Sequence, residues 1–315
     1  MLLTLVISIC TSATILYLLE RIRYKKIGLD HPNERSMHTV PRPRTGGLSI
    51  LAGLSISLFF LSGEEATLIL LTLSLGAVSF VDDMVGLPII VRFISHFFVV
   101  IIFLLNSKFG FNAPIFIIAM VLMVWHINLY NFMDGMDGMV ATMSIVGFLT
   151  FAFFAYSEAS YTLCSLTLLV STSVLPFLCR NFPPASIFMG DSGSISLGFC
   201  SVAVSFFGWF EQIWSPFFPV LIFFPFLFDA TTTLVKRIIT RKNIFQAHNM
   251  HYYQRLIKFG WSVRQVWFLY TVVMLLCTAI AVFSQRLTIV YQGLLTLALF
   301  FTFMLSSFMF DRNVK

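Results

Sequence analysis

The residues best able to do chemistry in this sequence lie at 128–139, in a short polar segment between two long apolar runs. The segment contains the carboxylates Asp134 and Asp137, each followed by a glycine, and the amides Asn128 and Asn131. Acidic side chains are costly next to hydrocarbon and persist there mainly where they bind something. A polar turn between two membrane helices would explain the glycines and amides but would not need both acids. We therefore predict a functional site here, and such hard oxygen ligands suit Mg²⁺ or Mn²⁺ together with phosphate groups.

Two further segments place acids at the ends of apolar runs. Asp82 and Asp83 are adjacent, and neighbouring carboxylates stay ionised together only near a cation or hydrogen-bond donors. We predict that this pair is a metal ligand or a base. Asp191 lies in a Gly-Asp-Ser-Gly sequence at a predicted helix start, where a helix N-cap is an equally good interpretation. Asn181 fits either interpretation.

The polar stretch at 236–265 contains two histidines among basic residues. His248 and His251 are spaced so that they would share one face of a helix. Two histidines at this spacing can bind zinc, but no cysteine or glutamate accompanies them here. With Arg255 close by, contacts to phosphate or sugar are the better interpretation.

Three titratable residues inside apolar runs are given lesser roles. Asp229 is predicted to support the site, as a partner of Arg92 or of a backbone group. His96 and His126 are predicted to be packed or hydrogen-bonded core residues.

The polar stretch at 21–45 is basic and proline-rich, and it ends in Gly46 and Gly47 at a predicted helix start. Clustered Lys and Arg beside a membrane attract phospholipid headgroups, which is one interpretation. The other is a guide for an anionic lipid substrate, with the glycine N–H groups approaching a phosphate. The sequence leaves both open.

The composition indicates the fold class. The chain has 315 residues, of which 58% are hydrophobic and 11% charged, whereas soluble proteins are nearer a quarter charged. Long apolar runs favour helices over the alternating pattern of a membrane barrel. We therefore predict an all-α polytopic membrane protein with one domain over 1–315. The eleven predicted spans lie near 1–20, 46–62, 66–81, 88–105, 114–130, 139–156, 161–179, 193–210, 216–235, 266–283 and 289–310.

The cysteines and the first apolar run indicate neither a disulfide framework nor a cleaved leader. The five cysteines lie within or at the ends of apolar runs and form no CxxC pair, so we interpret them as reduced packing residues. The first run continues into a basic loop without a small-residue cleavage signature, which predicts a retained first span.

The positive charges predict the orientation. If the loop after the first span is cytoplasmic, that side holds 18 of the 20 Lys and Arg residues, and only Lys108 and Arg286 remain for the other side. The N-terminus is then outside, the C-terminus is cytoplasmic, and the cytoplasmic loops lie near 21–45, 82–88, 131–138, 180–192 and 236–265. Five acids from three separate loops emerge on that side, which predicts one cytoplasmic active site: Asp82, Asp83, Asp134, Asp137 and Asp191.

In this order, the motifs resemble those of the polyprenyl-phosphate N-acetylhexosamine-1-phosphate transferases, the membrane superfamily that contains MraY and WecA (glycosyltransferase family four). The resemblance covers essentially the whole chain. The shared pieces are Asp82-Asp83, Asn128-x-x-Asn131-x-x-Asp134-Gly-x-Asp137-Gly, Phe188-Met-Gly-Asp191-x-Gly-Ser and the histidine loop. His-Pro-Asn-x-Arg-Ser-x-His-Thr at 31–39 and Gln-Ala-His-x-x-His-x-Tyr-Gln-Arg-Leu at 246–256 are most similar to the WbpL-type branch, which starts O-antigen synthesis. The histidine loop departs from the consecutive histidines of MraY, which favours a plain UDP-sugar over a peptidoglycan precursor.

The resemblance implies a reaction in the bacterial inner membrane. A UDP-N-acetylhexosamine, with a GlcNAc, FucNAc or QuiNAc type of sugar, and undecaprenyl phosphate would give undecaprenyl-diphospho-sugar and UMP. The expected partners are these substrates and membrane lipid, without nucleic acid, and the oligomeric state stays open. The implied roles are Mg²⁺ binding by Asp191 and Asn131, catalysis by Asp82 and Asp83, and substrate binding by Asn128, Asp134, Asp137, His248, His251, Arg255, Gly46 and Gly47. Direct attack by the lipid and an aspartyl-phosphate intermediate both remain open.

The competing function class is a membrane transporter with a cytoplasm-facing acidic site. Transporter acids usually lie near the middle of the bilayer on broken helices. In this chain the acids are predicted at helix ends, and only Asp229 is deeper. A structural subunit would not need the acids at all.

Overall fold

A computed structural model describes residues 2–22, 28–30, 32, 40–107, 109–243 and 248–313. Most of the His-Pro-Asn motif at 31–39, together with Lys108 and residues 244–247, lies outside the described residues. The helices are α1 (Leu2–Ile22), α2 (Gly46–Ser55), α3 (Gly63–Val85), α4 (Ile89–Asn106), α5 (Ala113–Phe132), α6 (Met139–Ser157), α7 (Tyr161–Asn181), α8 (Asp191–Phe210), α9 (Phe217–Ile222), α10 (Phe224–Ile239), α11 (Tyr252–Lys258), α12 (Val263–Ser284) and α13 (Ile289–Asn313). Two-residue strands β1 (Leu29–Asp30) and β2 (Arg42–Pro43) pair antiparallel before α2.

The structure is that of a helical, multi-pass membrane protein. In the described part of the chain, nine helices are long and apolar enough to cross a membrane. They coincide with nine of the eleven predicted spans, so the count of eleven full-length spans is not confirmed. The nine are α1, α3, α4, α5, α6, α7, α8, α12 and α13.

The other two predicted spans form shorter helices. The span expected at 46–62 becomes α2 followed by a 3₁₀ helix, Ile56–Phe59. The span expected at 216–235 is divided at Phe223 into α9 and α10. Pro219 lies within α9 and Pro225 in the first turn of α10. Proline lacks the N–H that a continuous helix needs, so an unbroken span is disfavoured here.

Helix α8 is the centre of the bundle. About 78% of an 18-residue apolar stretch of this helix is buried inside the protein. The helix packs against α3 and α5. Its sequence is rich in serine and glycine, and small residues let membrane helices approach closely. At Gly198 an added Cβ would lie 2.8 Å from the Cβ of Tyr130, so α5 contacts the α8 backbone directly.

By contrast, helix α13 lies at the edge of the bundle. Only 6% of an 18-residue apolar stretch of this helix is buried within the protein, and its large apolar side chains are mostly exposed. Such a surface suits contact with lipid or with another membrane protein. The functional residues therefore lie around α8 and its neighbours rather than at this edge.

Candidate active site

One cavity of about 880 Å³ lies among the ends of α4, α5, α8 and α10 and the loops beside them. Many of the predicted site residues line it, although they come from segments far apart in sequence. These are Asn128, Asn131, Asp134, Asp137, Asp191, His248 and His251. The separate segments therefore come together at one cavity, as predicted. That this cavity opens on the cytoplasmic side stays a prediction.

Asp191, the first residue of α8, is held by a neighbouring amide. The Asn131 side-chain Nδ2 donates to Asp191 Oδ1 at 2.9 Å and to Ser194 Oγ at 3.0 Å. The Arg92 guanidinium lies 3.7 Å from the other carboxylate oxygen. Asp191 does not cap its own helix, because the residue before α8 is Gly190, whose φ of 75° suits glycine.

Asp83 caps α8 from a different helix. Its carboxylate oxygens accept the backbone N–H groups of Asp191 at 3.1 Å and Ser192 at 3.0 Å. The N-terminal N–H groups of a helix have no partners within the helix, so an acid from α3 satisfies them. The capping interpretation considered for Asp191 thus applies to Asp83.

Asp82 is buried and paired with a base. One of its carboxylate oxygens lies 2.7 Å from Arg92 Nε, and the other accepts the Leu87 N–H at 2.6 Å. Neither Asp82 nor Asp83 is among the residues that line the cavity. Their described contacts are therefore structural, and the predicted catalytic roles remain predictions.

The two acids of the central segment have different surroundings. Asp137 accepts from the Ala185 N–H at 2.8 Å and from Arg42 at 3.3 Å. Burial raises the pKa of Asp134 well above its ordinary value, and the negative charges of Asp191 and Asp83 raise it further. Asp134 thus lies close to other carboxylates, and a bound cation would reduce the electrostatic repulsion among them.

The glycines of this segment have a packing reason. At Gly135 an added Cβ would lie 2.1 Å from the Tyr253 hydroxyl, which donates to the Phe132 carbonyl at 3.3 Å. Gly138 has a φ of 75°, and its N–H donates to the Asn181 side chain at 2.8 Å. Asn181 therefore fixes the turn of this segment.

Gly46 and Gly47 do not offer the predicted free N–H groups. Gly46 N–H donates to the Phe188 carbonyl at 2.9 Å, and Gly47 N–H donates to the Met189 carbonyl at 2.8 Å. At Gly47 an added Cβ would lie 2.4 Å from the backbone of Gly193. These glycines join the start of α2 to the segment before Asp191, so the predicted phosphate contact is wrong for their N–H groups.

The two histidines lie before a helix, not on one. His248 is in the loop and His251 is the residue just before α11, so the predicted shared helix face is wrong. They still contact each other, with ring centroids 5.0 Å apart. Burial, and then electrostatic interactions with His251 and Arg237, lower the pKa of His248 to about 4. His248 is therefore neutral near pH 7.

Arg255 is not among the residues that line the cavity. Its guanidinium is 2.5 Å from Asp311 on α13 and stacks over the rings of Tyr252 and Phe310. Lys236 on α10 pairs with the same Asp311 carboxylate. The predicted substrate contact of Arg255 therefore has no support in this geometry.

Sequence reasoning missed two arginines and underestimated one histidine. Arg44 and Arg92 line the cavity beside the acids, and His96 lines it while lying 3.5 Å from Asn128. Arg92 could have been noticed as a single basic residue within an apolar run, but it also fits the excess of positive charge on the predicted cytoplasmic side. His126, in contrast, is a core residue as predicted and bonds Ser201 at 2.7 Å.

The donor set suits a cation shared with a substrate. Among the described residues, no three His, Cys, Asp or Glu side chains are grouped closely enough to hold a metal by themselves. Mg²⁺ is usually bound by one or two carboxylates together with substrate phosphates, so a complete protein cage is not required. Asp191 offers the carboxylate, and Asn131 offers its Oδ1, because its Nδ2 is engaged with Asp191 and Ser194.

Comparison with known proteins gives a consistent result. The chain matches the model of glycosyl transferase family 4 over residues 66–208. It is 28% identical to the probable undecaprenyl-phosphate N-acetylglucosaminyl 1-phosphate transferase of Bacillus subtilis, over 96% of this chain and 88% of that protein. It is 26% identical to the decaprenyl-phosphate N-acetylglucosaminephosphotransferase of Mycobacterium leprae, over 75% and 71%. It is 24% identical to the phospho-N-acetylmuramoyl-pentapeptide-transferase of Bacillus velezensis, over 81% and 87%.

Proposed function

Because the chain matches the model of glycosyl transferase family 4 over residues 66–208 and is similar to polyprenyl-phosphate hexosamine-1-phosphate transferases, we propose the following reaction for it. The protein transfers an N-acetylhexosamine-1-phosphate from a UDP-sugar to undecaprenyl phosphate and releases UMP. The reaction takes place at the cytoplasmic face of a bacterial inner membrane. It is the first membrane step of a cell-envelope polysaccharide, and the motifs at 31–39 and 246–256 support an O-antigen type.

The observation that supports this proposal best is the two-part lining of the cavity. One part is polar and contains Asp134, Asp191 and the two histidines. The other part is apolar and is formed by α4 and α5, with Phe93, Phe97, Val121 and Trp125 among its residues. A site with carboxylates and bases next to an apolar wall suits one water-soluble and one lipid substrate.

The chemistry needs little covalent participation from the protein. An oxygen of the lipid phosphate attacks the β-phosphorus of the UDP-sugar, a new P–O bond forms, and the bond to the UMP oxygen breaks. Phosphoryl transfer depends on holding these oxygens in line and neutralising charge on the transferred group. Mg²⁺ at Asp191 and Asn131 would supply part of that neutralisation when bound.

Arg92 supplies positive charge from the protein itself. Arg92 lies between Asp82 and Asp191 at the edge of the apolar wall, where a lipid phosphate would arrive.

Both oxygens of Asp83 accept hydrogen bonds from backbone N–H groups of α8. This geometry supports direct attack by the lipid over an aspartyl-phosphate intermediate, because an attacking carboxylate would have to leave those groups.

A transporter is not favoured. The deep acid, Asp229, accepts backbone N–H groups of Tyr252 and Tyr253 and the Tyr270 hydroxyl, so its contacts are accounted for without a transported ion. The relatives are also named as transferases.

The test is an assay of purified protein in detergent with undecaprenyl phosphate and a panel of UDP-N-acetylhexosamines, with Mg²⁺, Mn²⁺ or chelator. We expect UMP release that needs both substrates and the metal, and that is fastest with one sugar. UMP release that does not depend on the lipid, or none with any sugar from a well-folded sample, would contradict the proposal.

A further inference from the structure

Gln254, in the first turn of α11, is a cavity residue that the proposed reaction has not used. It lines the cavity together with His248 and His251, and only 8% of it is exposed. Its neighbour Arg255, which the sequence analysis assigned to the substrate, pairs with Asp311 instead. In α11 it is therefore Gln254, and not Arg255, whose side chain can reach a substrate in the cavity.

The first turn of α11 is fixed in place by two neighbouring helices. The Asp229 carboxylate on α10 accepts the N–H groups of Tyr252 at 2.8 Å and of Tyr253 at 3.2 Å. The Tyr253 hydroxyl donates to the Phe132 carbonyl at the end of α5 at 3.3 Å. The backbone next to Gln254 thus has a defined position relative to α5 and α10.

The side-chain amide of Gln254 has a defined orientation as well. Its Oε1 accepts the backbone N–H of His251 at 3.2 Å, which is one half of the capping box that starts α11. A backbone N–H group only donates, so the end of the amide beside it must be the oxygen. The NH₂ group, at Nε2, is therefore the end that this contact leaves unused.

The unused NH₂ group lies beside the central polar segment of the site. Nε2 is 3.4 Å from the position that a Cβ on Gly135 would take, and Gly135 lines the same cavity. Among the described residues no acceptor bonds this NH₂ group, and it is not one of the fully enclosed side-chain atoms. Buried polar groups are normally hydrogen-bonded, so this N–H is a donor available to a ligand in the cavity.

We propose that Gln254 is a substrate-binding residue, whose Nε2 donates a hydrogen bond to an oxygen atom of the nucleotide sugar. This proposal rests on the proposed function for the identity of the substrate. Acceptor oxygens occur both in the sugar, as hydroxyls and the acetamido carbonyl, and in the UDP part, and the test distinguishes these two sources. The lipid is not the expected acceptor, because Gln254 lies beside Gly135 and the histidines, whereas α4 and α5 form the apolar wall.

Two substitutions of similar shape separate hydrogen bonding from folding. Gln254→Glu keeps an oxygen for the His251 N–H, since either Glu or Gln fills this position of a capping box, but its carboxylate has no N–H to donate. Gln254→Met has neither a donor nor a charge. It shows whether an effect of the glutamate comes from its negative charge.

Gln265→Glu is the matched control. Gln265 forms the corresponding capping box of α12, where its Oε1 accepts the Ser262 N–H at 2.8 Å. Gln265 is not among the residues that line the cavity. The control therefore makes the same exchange in the same motif, away from the site.

Equilibrium binding of UDP-N-acetylglucosamine and of UDP, and KM for both substrates, are measured for wild type and the three variants, with thermal unfolding as the check of folding. We expect both Gln254 variants to weaken binding of UDP-N-acetylglucosamine about fivefold to a hundredfold, as when one partner of a buried hydrogen bond is removed. Gln265→Glu should bind as the wild type does. Weaker binding of the UDP-sugar but not of UDP assigns the acceptor to the sugar, and equal weakening assigns it to UDP.

Wild-type binding of UDP-N-acetylglucosamine by either Gln254 variant, in a folded sample, would overturn the inference. An increase confined to KM for undecaprenyl phosphate, or an equal loss of binding in Gln265→Glu, would also overturn it. A wild type that binds the nucleotides but releases no UMP would contradict the proposed function instead, and the binding comparison would still judge Gln254. A wild type that binds neither nucleotide would contradict both.

Discussion

At the scale of single residues, the site is defined by which polar atoms are already engaged. Asp83 uses both oxygens on the start of α8, and Asp82 is paired with Arg92. Among the described residues, the Asp191 carboxylate contacts the Asn131 amide at 2.9 Å and the Arg92 guanidinium at 3.7 Å. Asp191 is thus the acid best placed to exchange its contacts for a cation and a phosphate.

We predict that Asp191→Asn abolishes metal-dependent transfer, with kcat falling at least about a hundredfold, as when a preorganised charge-stabilising group is removed. The protein should still insert and purify, since Asp191 does not cap its own helix. UMP release at several Mg²⁺ concentrations measures the effect. Glu211→Gln, at the other end of α8, is the control, and retained turnover in Asp191→Asn would remove this residue from the metal site.

His248→Ala should raise KM for the UDP-sugar more than KM for the lipid. Because the pKa of His248 is about 4, its ring is neutral above that pH, and the ratio of mutant to wild-type KM should stay constant between about pH 6 and 8. Initial rates with each substrate varied in turn measure both effects. An effect confined to the lipid would move this loop to the acceptor side of the site.

At the scale of elements, glycines and capping contacts set the relative positions of the site residues. Gly46 and Gly47 join α2 to the segment before α8, Asp83 joins α3 to α8, and Gly198 lets α5 lie directly on α8. The apolar runs predicted most of these helices, because hydrophobic length alone decides a membrane span. They did not predict the division at Phe223, which depends on where the prolines fall within one run.

Gly198→Ala tests the close packing of α5 on α8. The new Cβ would lie 2.8 Å from Tyr130 and 3.2 Å from the Ile127 backbone, so the helices must separate. We expect a loss of about 1–3 kcal/mol in stability, as for overpacked cores, and reduced turnover, because α5 and α8 contain Asn131 and Asp191. Thermal unfolding in detergent and UMP release are the measurements.

Gly293→Ala on α13 is the matched control for that substitution. Its nearest neighbour is the end of the Phe217 ring at 3.3 Å, which can move aside. Equal effects of the two substitutions would show that the contact of α5 with α8 has no special role.

At the scale of the whole molecule, site residues could be predicted from the sequence where a charged side chain lies next to a long apolar run. Acids at the ends of apolar runs stand out, so Asp134, Asp137 and Asp191 could be named from the sequence. Arg44 could not, because loop arginines are already explained by membrane orientation. Asp229 accepts hydrogen bonds from backbone N–H groups at the start of α11, 23 and 24 positions further along the chain. Every residue except proline has such an N–H group, so the sequence could not predict this contact.

The orientation is a prediction of the same scale. Eighteen of the 20 basic residues lie on one side if the C-terminus is cytoplasmic. A C-terminal green fluorescent protein should therefore fluoresce, and alkaline phosphatase at the same position should be inactive. The reverse result would place the acids outside the cell, away from nucleotide sugars.

In the proposed reaction a sugar phosphate, and not a sugar alone, moves to the lipid. The most direct measurement uses a UDP-N-acetylhexosamine labelled at the β-phosphorus, with undecaprenyl phosphate and Mg²⁺, and follows the label. We predict that the label enters the organic-extractable lipid in a one-to-one ratio with unlabelled UMP. Label that stays in released UDP would show transfer of the sugar alone, and would contradict the proposed reaction.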